Sequence, residues 1–397
     1  MTYMFVYENM KIGGCQLLIE KIAVQTKKSK NNKCIVLCRD IDDSILRKLL
    51  LINIEVVYVD KWSQLSSKIR EMSREEDEEL NICTFTVNDY CNCCSHKSRN
   101  KKTLLYAVHD KALILGNKQG NIFEKNIYYY FRKLLIRLEK EKRVVLMDEQ
   151  TLNTTKKFYE FSEKWTPNII RISVDTNNVN PISKEMIECN LRQPRILTIA
   201  RADFPFKGYI LGLIRWMSEC SNSEIKLTII SYGNDEKQIL SCLEQIPPGV
   251  KKRIDLIGKT EYEDIDTFIK QSIVYVGMGT TLIDASLRGI ISIPVKAYTY
   301  DVYADKVFHE DYRVLGLEMD NHSKNLTNII NRILAMSADA YFDISRKNYD
   351  LCVTHYSVEN NTKKITQQFE NEFIDQTKLM VCFFSAYYTI RKKMLEK

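Results

Sequence analysis

Ile196-Leu197-Thr198-Ile199-Ala200-Arg201, with the loop Ala202-Asp203-Phe204-Pro205-Phe206-Lys207-Gly208-Tyr209 after it, decides how this chain folds. The apolar, β-rich run stops at Arg201, Lys207-Gly208 comes six residues later, and a helical pattern follows. A parallel strand that delivers cations to its carboxyl end, just before a helix, suits a diphosphate, because ligands of open α/β sheets bind at that edge. The helix N-terminus adds backbone donors and partial positive charge. Further on, Gly277-Met278-Gly279-Thr280-Thr281 leads from a strand into a second helix, with Asp284 one turn inside it. Cations facing phosphate, a second helix terminus and an acid placed for a ribose describe a site for a nucleoside diphosphate with something attached.

Outward from this stretch, strand and helix patterns alternate along the chain, the signature of parallel sheets with crossover helices. The first half predicts strands near Tyr3–Tyr7, Cys34–Cys38, Glu55–Val59, Ile82–Phe85, Leu104–Val108, Val144–Met147 and Ile169–Ile172. Helices are expected at Gln16–Val24, Ser44–Leu51, Ser63–Met72, Asn126–Glu139 and, shorter, after Glu149. The alternation restarts at Ile196, with strands near Lys226–Ile230, Ile254–Ile257, Ile273–Gly277 and Ile291–Val295. Between the halves lies TNNVNPISKEMIECNLRQP, residues 176–194, rich in Asn and carrying two prolines; it reads as a linker.

At 397 residues the chain is long for one core, and two domains are expected. Its net charge of +7, from 58 basic against 51 acidic residues, is mild and fits phosphates or an anionic membrane surface. No basic stripe with interleaved stacking aromatics accompanies it, so nucleic acid is not an expected partner. Twelve cysteines, irregularly spaced and often inside apolar runs, suggest reduced thiols and a cytoplasmic protein. The opening MTYMFVYENM reads as a first strand and not as a secretory signal. No apolar run approaches the roughly 20 residues that span a bilayer.

The second half resembles the carboxy-terminal domain of group 1 (family 4) glycosyltransferases. That family's pattern of strand, Arg, short loop, Lys-Gly and helix is matched by Arg201, Lys207 and Gly208. IISYGND with Gly233, and Leu256-Ile257-Gly258 before a helix like EYEDIDTFIKQ, fit the next two elements. YVGMGTTLIDASLRGIISIP resembles the last, with Asp284-Ala285 where the family has Glu-Ala. In the first half, Ile12-Gly13-Gly14-Cys15-Gln16 resembles the family's Gly-Gly loop, and Tyr106-Ala107-Val108-His109-Asp110 its strand-end His motif. THYSVENNTKKITQQFE resembles the terminal helices that cross back to the first domain.

The resemblance implies an α/β protein of the GT-B fold, with two Rossmann-like parallel-sheet domains facing across a cleft and a C-terminal helix crossing back to the first. The expected parts are an acceptor domain over 1–183, a donor domain over 184–370 and a helical tail over 371–397. It implies transfer of a sugar from a UDP- or GDP-linked donor to a glycan or lipid-linked acceptor in cell-surface or capsular polysaccharide synthesis, with retention. Arg201 and Lys207 would stabilise the leaving diphosphate, and His109 would be the base if a protein base is needed. Gly13, Gly14, Gly258, Gly279, Thr280, Thr281 and Asp284 would bind the donor. No cofactor or metal is implied. A non-hydrolysing sugar-nucleotide epimerase, or a non-catalytic partner subunit of a glycosyltransferase complex, would share this pattern.

The chain also departs from the family. Val276 stands where a first Glu is usual, the ribose acid is Asp284, one methylene shorter, and the Arg-to-Lys spacing is one residue longer than the commonest form. Thr280 and Thr281, through hydroxyls and backbone N–H groups, are expected to take over part of the phosphate contact.

Other motifs have plain readings. Asp40-Ile41-Asp42 and Asp264-Ile265-Asp266 open expected helices, where acids are commonplace. Cys91-Asn92-Cys93-Cys94-Ser95-His96 lacks the second ligand pair that structural zinc usually needs. NIYYYFRKLLIRLEKEKR, residues 126–143, is basic and amphipathic: either a core-packed helix with a solvated face, or one that docks on an anionic membrane.

Overall fold

The computed structural model describes the chain except for residues 12, 29–31, 76–78, 96–99, 110, 178, 261, 317–322, 324 and 372–397. The expected 371–397 tail therefore lies outside the described residues apart from Asn371, as do Ile12, His96, Asp110 and Glu261 of the motifs above. The chain forms two compact units, one of Met1–Asp175 with the chain from Val358 onward, the other of Thr176–Ser357.

The first unit is built on a seven-stranded sheet. In spatial order its strands are Glu55–Tyr58, Lys33–Cys38, Thr2–Val6, Leu80–Thr84, Lys101–Ala107, Val144–Leu146 and Asn168–Ile169, all paired in parallel. The order runs outward from Thr2–Val6 in both directions, so the chain reverses beside that strand. Thr2–Val6 is buried along its whole length, as strands covered on both faces must be. Met4, Val6, Ile35, Leu37 and Ile82 pack with Trp62, Leu65 and Ile69. Leu105, Ala107, Val144 and Leu146 pack with Phe131, Leu134, Leu135 and Leu138 of the helix Ile122–Lys140. That helix starts at a capping box, in which the Asn121 side chain accepts from Glu124 N–H and the Glu124 side chain from Asn121 N–H.

The second unit holds a five-stranded parallel sheet in the order Ile254–Ile257, Lys226–Ile230, Arg195–Ile199, Val274–Gly277 and Ile291–Pro294. The first strand is central again. Its helix Tyr209–Glu219 buries Tyr209, Ile210, Leu213, Ile214 and Met217, a set at helical spacing.

Three expectations need correcting. The supposed linker is partly a helix, Lys184–Arg192, because Ser183 Oγ accepts the Met186 N–H at 3.3 Å and Ile187 is buried. Val87–Cys94 is a helix that the sequence reading left out. It is rich in Asn and Cys, weak helix formers, and is fixed by the Thr86 cap and by burial of Tyr90, Cys91 and Cys93. The boundary between units falls at Asp175/Thr176, before the expected 183/184, and the chain rejoins the first unit at Val358 rather than near 371. The helix Val358–Gln368 packs on the helix Gly14–Lys28, while the Val358 N–H donates to Val174 O at 3.0 Å.

Candidate functional site

In the second unit the chain leaves the central strand in one direction, and after Ile254–Ile257 returns to that strand's other side as Val274–Gly277. The carboxyl ends of Arg195–Ile199 and Val274–Gly277 thus lie side by side where the order reverses, the position at which open α/β sheets take ligands. Arg201 to Gly208 leads from the first of these ends into the helix Tyr209–Glu219. Met278 and Gly279 lead from the second into the helix Thr280–Leu287. Gly208 and Gly279 stand at the two cap positions, and neither helix is closed by a side-chain cap. In Tyr209–Glu219 the Ile210 and Leu211 N–H groups bond back to Lys207 O at 3.1 Å and Gly208 O at 3.0 Å, while the positive end of each helix dipole lies at this edge of the sheet.

The Arg201–Gly208 loop is held from the neighbouring strand. Ala202 N–H donates to Tyr232 O at 2.7 Å and Phe204 N–H to Asp235 Oδ2 at 2.8 Å. Gly233, at φ +141°, permits this approach: a Cβ there would stand 2.6 Å from Ala202 O and 3.0 Å from Arg201 Cγ. Arg201 is exposed, its guanidinium 3.5 Å from Asp203. Lys207 is half-buried, with its Nζ 4.6 Å from the centre of the Phe206 ring. Burial pushes the Lys207 ammonium down to about 8; Arg201 acts in the same direction and Asp203 against it. A cation crowded by a second cation and partly stripped of water is suited to an incoming anion.

Gly279 sits at φ +70°, a left-handed value that favours glycine, and a Cβ added there would meet nothing within 4 Å. Its N–H donates to Leu315 O at 2.9 Å. Thr280 is exposed at the helix start. Thr281 differs: its hydroxyl lies 2.6 Å from the Tyr275 hydroxyl and 3.3 Å from both Ile199 O and Met278 O. That side chain ties the helix to the ends of both strands. Asp284 is 8% exposed, and its carbonyl accepts from Arg288 Nη1 at 3.0 Å. Gly258 directly follows the edge strand, exposed, with open space where a Cβ would be and Thr260 Oγ1 donating to its carbonyl at 3.1 Å. Val276 is fully buried within its strand, and only Met278 and Gly279 separate strand from helix.

The remaining expected residues belong to the first unit. Gly13 and Gly14 open the helix Gly14–Lys28 after the central strand, and a Cβ at Gly14 would meet nothing within 4 Å. His109 is exposed two residues beyond Lys101–Ala107. Its Nδ1 accepts the Lys111 N–H at 3.1 Å, so the neutral ring carries its proton on Nε2 and presents a donor there. Asp235 and Tyr298 were missed by the sequence reading; Tyr298 N–H donates to Phe206 O at 3.1 Å. The turn signal around Gly233 could have found Asp235, whereas nothing near Tyr298 marks it.

The other motifs are structural. Asp42 caps the helix Asp43–Leu51, and Asp40 pairs with Arg39 at 3.0 Å. Asp266 pairs with Arg288 at 2.5 Å and Lys270 at 2.6 Å. Cys91 and Cys93 are buried, and burial pushes the Cys93 and Cys94 thiols up, which keeps them protonated.

No family model matches the chain, and no curated protein matches it in sequence. Solved structures do match in three dimensions. HepE of Anabaena in complex with UDP is 14% identical, with 93% of this chain and 100% of that one covered and a TM-score of 0.65. A glycosyltransferase from Rickettsia africae is 12% identical over 94% and 99%, with a TM-score of 0.66. Sucrose-phosphate synthase from Thermosynechococcus elongatus is 12% identical over 93% and 98%, with a TM-score of 0.60. With its two parallel-sheet Rossmann-like units, this chain has the GT-B fold of nucleotide-sugar glycosyltransferases.

Proposed function

We propose that this protein transfers a sugar from a nucleoside-diphosphate sugar to a glycan or lipid-linked acceptor. The observation that carries the reading is the pairing of Arg201 and half-buried Lys207 with the N-termini of two helices at the reversal point of one sheet. As the glycosidic bond breaks, negative charge develops on the β-phosphate, and preorganised cations and N–H donors aimed at it stabilise the transition state. Arg201, Lys207 and the N–H groups from Thr280 onward supply that charge, so the reaction needs neither a metal nor a cofactor. Asp284 and Gly258 would bind the nucleoside side of the donor, and Gly13 and Gly14 its phosphates. His109, which presents Nε2–H, would donate to the donor or acceptor rather than act as the base.

UDP-glucose is the donor to test first, because HepE is crystallised with UDP and with UDP-glucose. Isothermal titration of UDP, GDP, ADP and CMP against wild type and Arg201→Ala/Lys207→Ala tests the site. One diphosphate should bind in EDTA and lose its affinity in the double variant; binding unchanged by the substitutions would refute the assignment. In turnover assays each single substitution should lower the rate roughly 10²–10³-fold, as loss of an oxyanion-hole donor does.

The resemblance to bacterial surface-polysaccharide enzymes further implies retention of configuration and a role in capsule or cell-surface synthesis. NMR of the product anomer distinguishes retention from inversion. A lipid-linked acceptor would bring the protein to the cytoplasmic face of a membrane. Among the described residues no helix is long and apolar enough to cross one. The helix Ile122–Lys140 exposes Ile122, Phe123, Tyr129 and Tyr130 together with Lys125 and Lys133, a composition suited to an anionic surface. Co-sedimentation with anionic but not zwitterionic vesicles is the expected result; recovery in the supernatant with both would remove the membrane from the proposal.

A further inference from the structure

Four non-glycine residues among those described adopt a left-handed backbone: Asn53, Lys142, Glu160 and Tyr298. The first three close the helices Asp43–Leu51, Ile122–Lys140 and Glu149–Tyr159, where this conformation is common. Tyr298 closes no helix. It lies beyond the strand Ile291–Pro294 at φ 56°, with 58% of its surface exposed. A bulky residue keeps such a backbone only where its surroundings over-determine it, and such positions gather at functional sites.

The surroundings here are the diphosphate loop. Tyr298 N–H donates to Phe206 O at 3.1 Å, and the two rings lie 5.0 Å apart at an interplanar angle of 49°. Lys207 Nζ is 4.6 Å from the centre of that same Phe206 ring. The segment after Tyr298 is pinned against Gly208 and the helix Tyr209–Glu219. A Cβ at Gly208 would stand 2.6 Å from Thr299 O, and one at Gly212 would stand 2.8 Å from Tyr300 O. Tyr300 O also accepts from Arg215, and the Tyr300 ring meets Phe204 edge-on at 6.2 Å.

We propose that Tyr298 is a positioning residue, which acts through Phe206 to hold the Lys207 ammonium ready for the donor diphosphate. The proposal rests on the reading of Lys207 given above. A free lysine side chain carries much rotamer entropy, and fixing it before the ligand arrives removes that penalty from binding. An aromatic face seats an ammonium without neutralising it, which a carboxylate would do. The charged groups that act on Lys207 are Arg201 and Asp203. The left-handed turn at Tyr298 is what brings its N–H and its ring to Phe206 together.

The test has one readout that needs no ligand. Competitive amine labelling over a pH series, read by mass spectrometry on the Lys207 peptide, reports where that ammonium titrates. The half-point should lie near pH 8 in wild type and in Tyr298→Phe. In Tyr298→Ala, which leaves the Phe206 ring in place, it should rise by about one pH unit as water reaches the ammonium. UDP affinity should fall roughly tenfold in Tyr298→Ala and in Phe206→Leu, the scale of one desolvated cation–π contact, with Tyr298→Phe close to wild type. Circular dichroism melts identify any variant that fails to fold. An unchanged half-point and an unchanged UDP affinity in folded Tyr298→Ala would overturn the proposal. A raised half-point in a protein whose Lys207 is not protected by UDP would leave the brace standing and overturn the diphosphate reading instead.

Discussion

Lys207 is the residue whose chemistry can be followed most directly. Burial holds it near 8 in the folded protein, below its ordinary 10.5. Between those values the unfolded chain binds more protons than the folded one, so this group makes stability rise with pH across that window and opposes folding below it. Lys207→Met should therefore raise the melting temperature at pH 7 while abolishing UDP binding; a lowered melting temperature would contradict a desolvated ammonium. A bound diphosphate restores the charged form. Above pH 8 binding must take up a proton, and affinity should decline as pH rises further. Titration calorimetry at pH 9 in two buffers of different ionisation enthalpy should show that uptake. Thr281→Val makes a contrasting case. It removes the hydroxyl shared with Tyr275 and Ile199 and should lower stability by about 1–2 kcal/mol, yet leave UDP affinity within a few-fold, because that hydroxyl is bonded to the strand ends. These residues were singled out in the sequence by type and spacing. Their separate roles were not legible, because whether a hydroxyl faces a ligand or a neighbouring strand depends on residues far away in the chain.

At the scale of elements, the strand–loop–helix units did show in the sequence. The strands beginning at Arg195, Lys226, Ile254 and Ile291 lie where the apolar runs put them, and the helix N-termini follow their glycines. Short polar elements did not show. Val87–Cys94 and Lys184–Arg192 have compositions that favour loops, and they become helical because a Thr or Ser caps them and a few side chains find buried neighbours. Gly279 carries the clearest element-level prediction. Gly279→Ala should destabilise the turn by about 1–3 kcal/mol, because a backbone at φ 70° and ψ −144° lies in a region almost confined to glycine, even though the Cβ itself meets open space. UDP affinity should fall with it, because the first turn of Thr280–Leu287 would tilt. A variant with wild-type stability and affinity would show that the turn has another conformation available.

At the scale of the whole molecule, the second unit carries Arg201, Lys207, Gly258, Gly279, Thr280, Thr281 and Asp284. A fragment spanning Thr176–Ser357 should fold on its own and retain measurable UDP affinity. A fragment ending at Asp175 should fare worse, because it lacks Val358–Gln368, which packs on the first unit's opening helix. Urea unfolding of the two fragments checks this; a stable 1–175 fragment beside an unfolded 176–357 one would reverse the expectation.

The sequence by itself determined the α/β class, the two-unit organisation and the positions of the cations and glycines. Those follow from local rules: apolar runs make strands, glycine and capping residues set turns, and both act within a few residues of themselves. Only the tertiary structure decided that the strands flanking Arg201 and Gly279 are adjacent, that Val276 is buried, and that Tyr298 reaches Phe206. Each of these is an approach between segments distant in the chain. It is set by which faces bury together, and no local spacing encodes it.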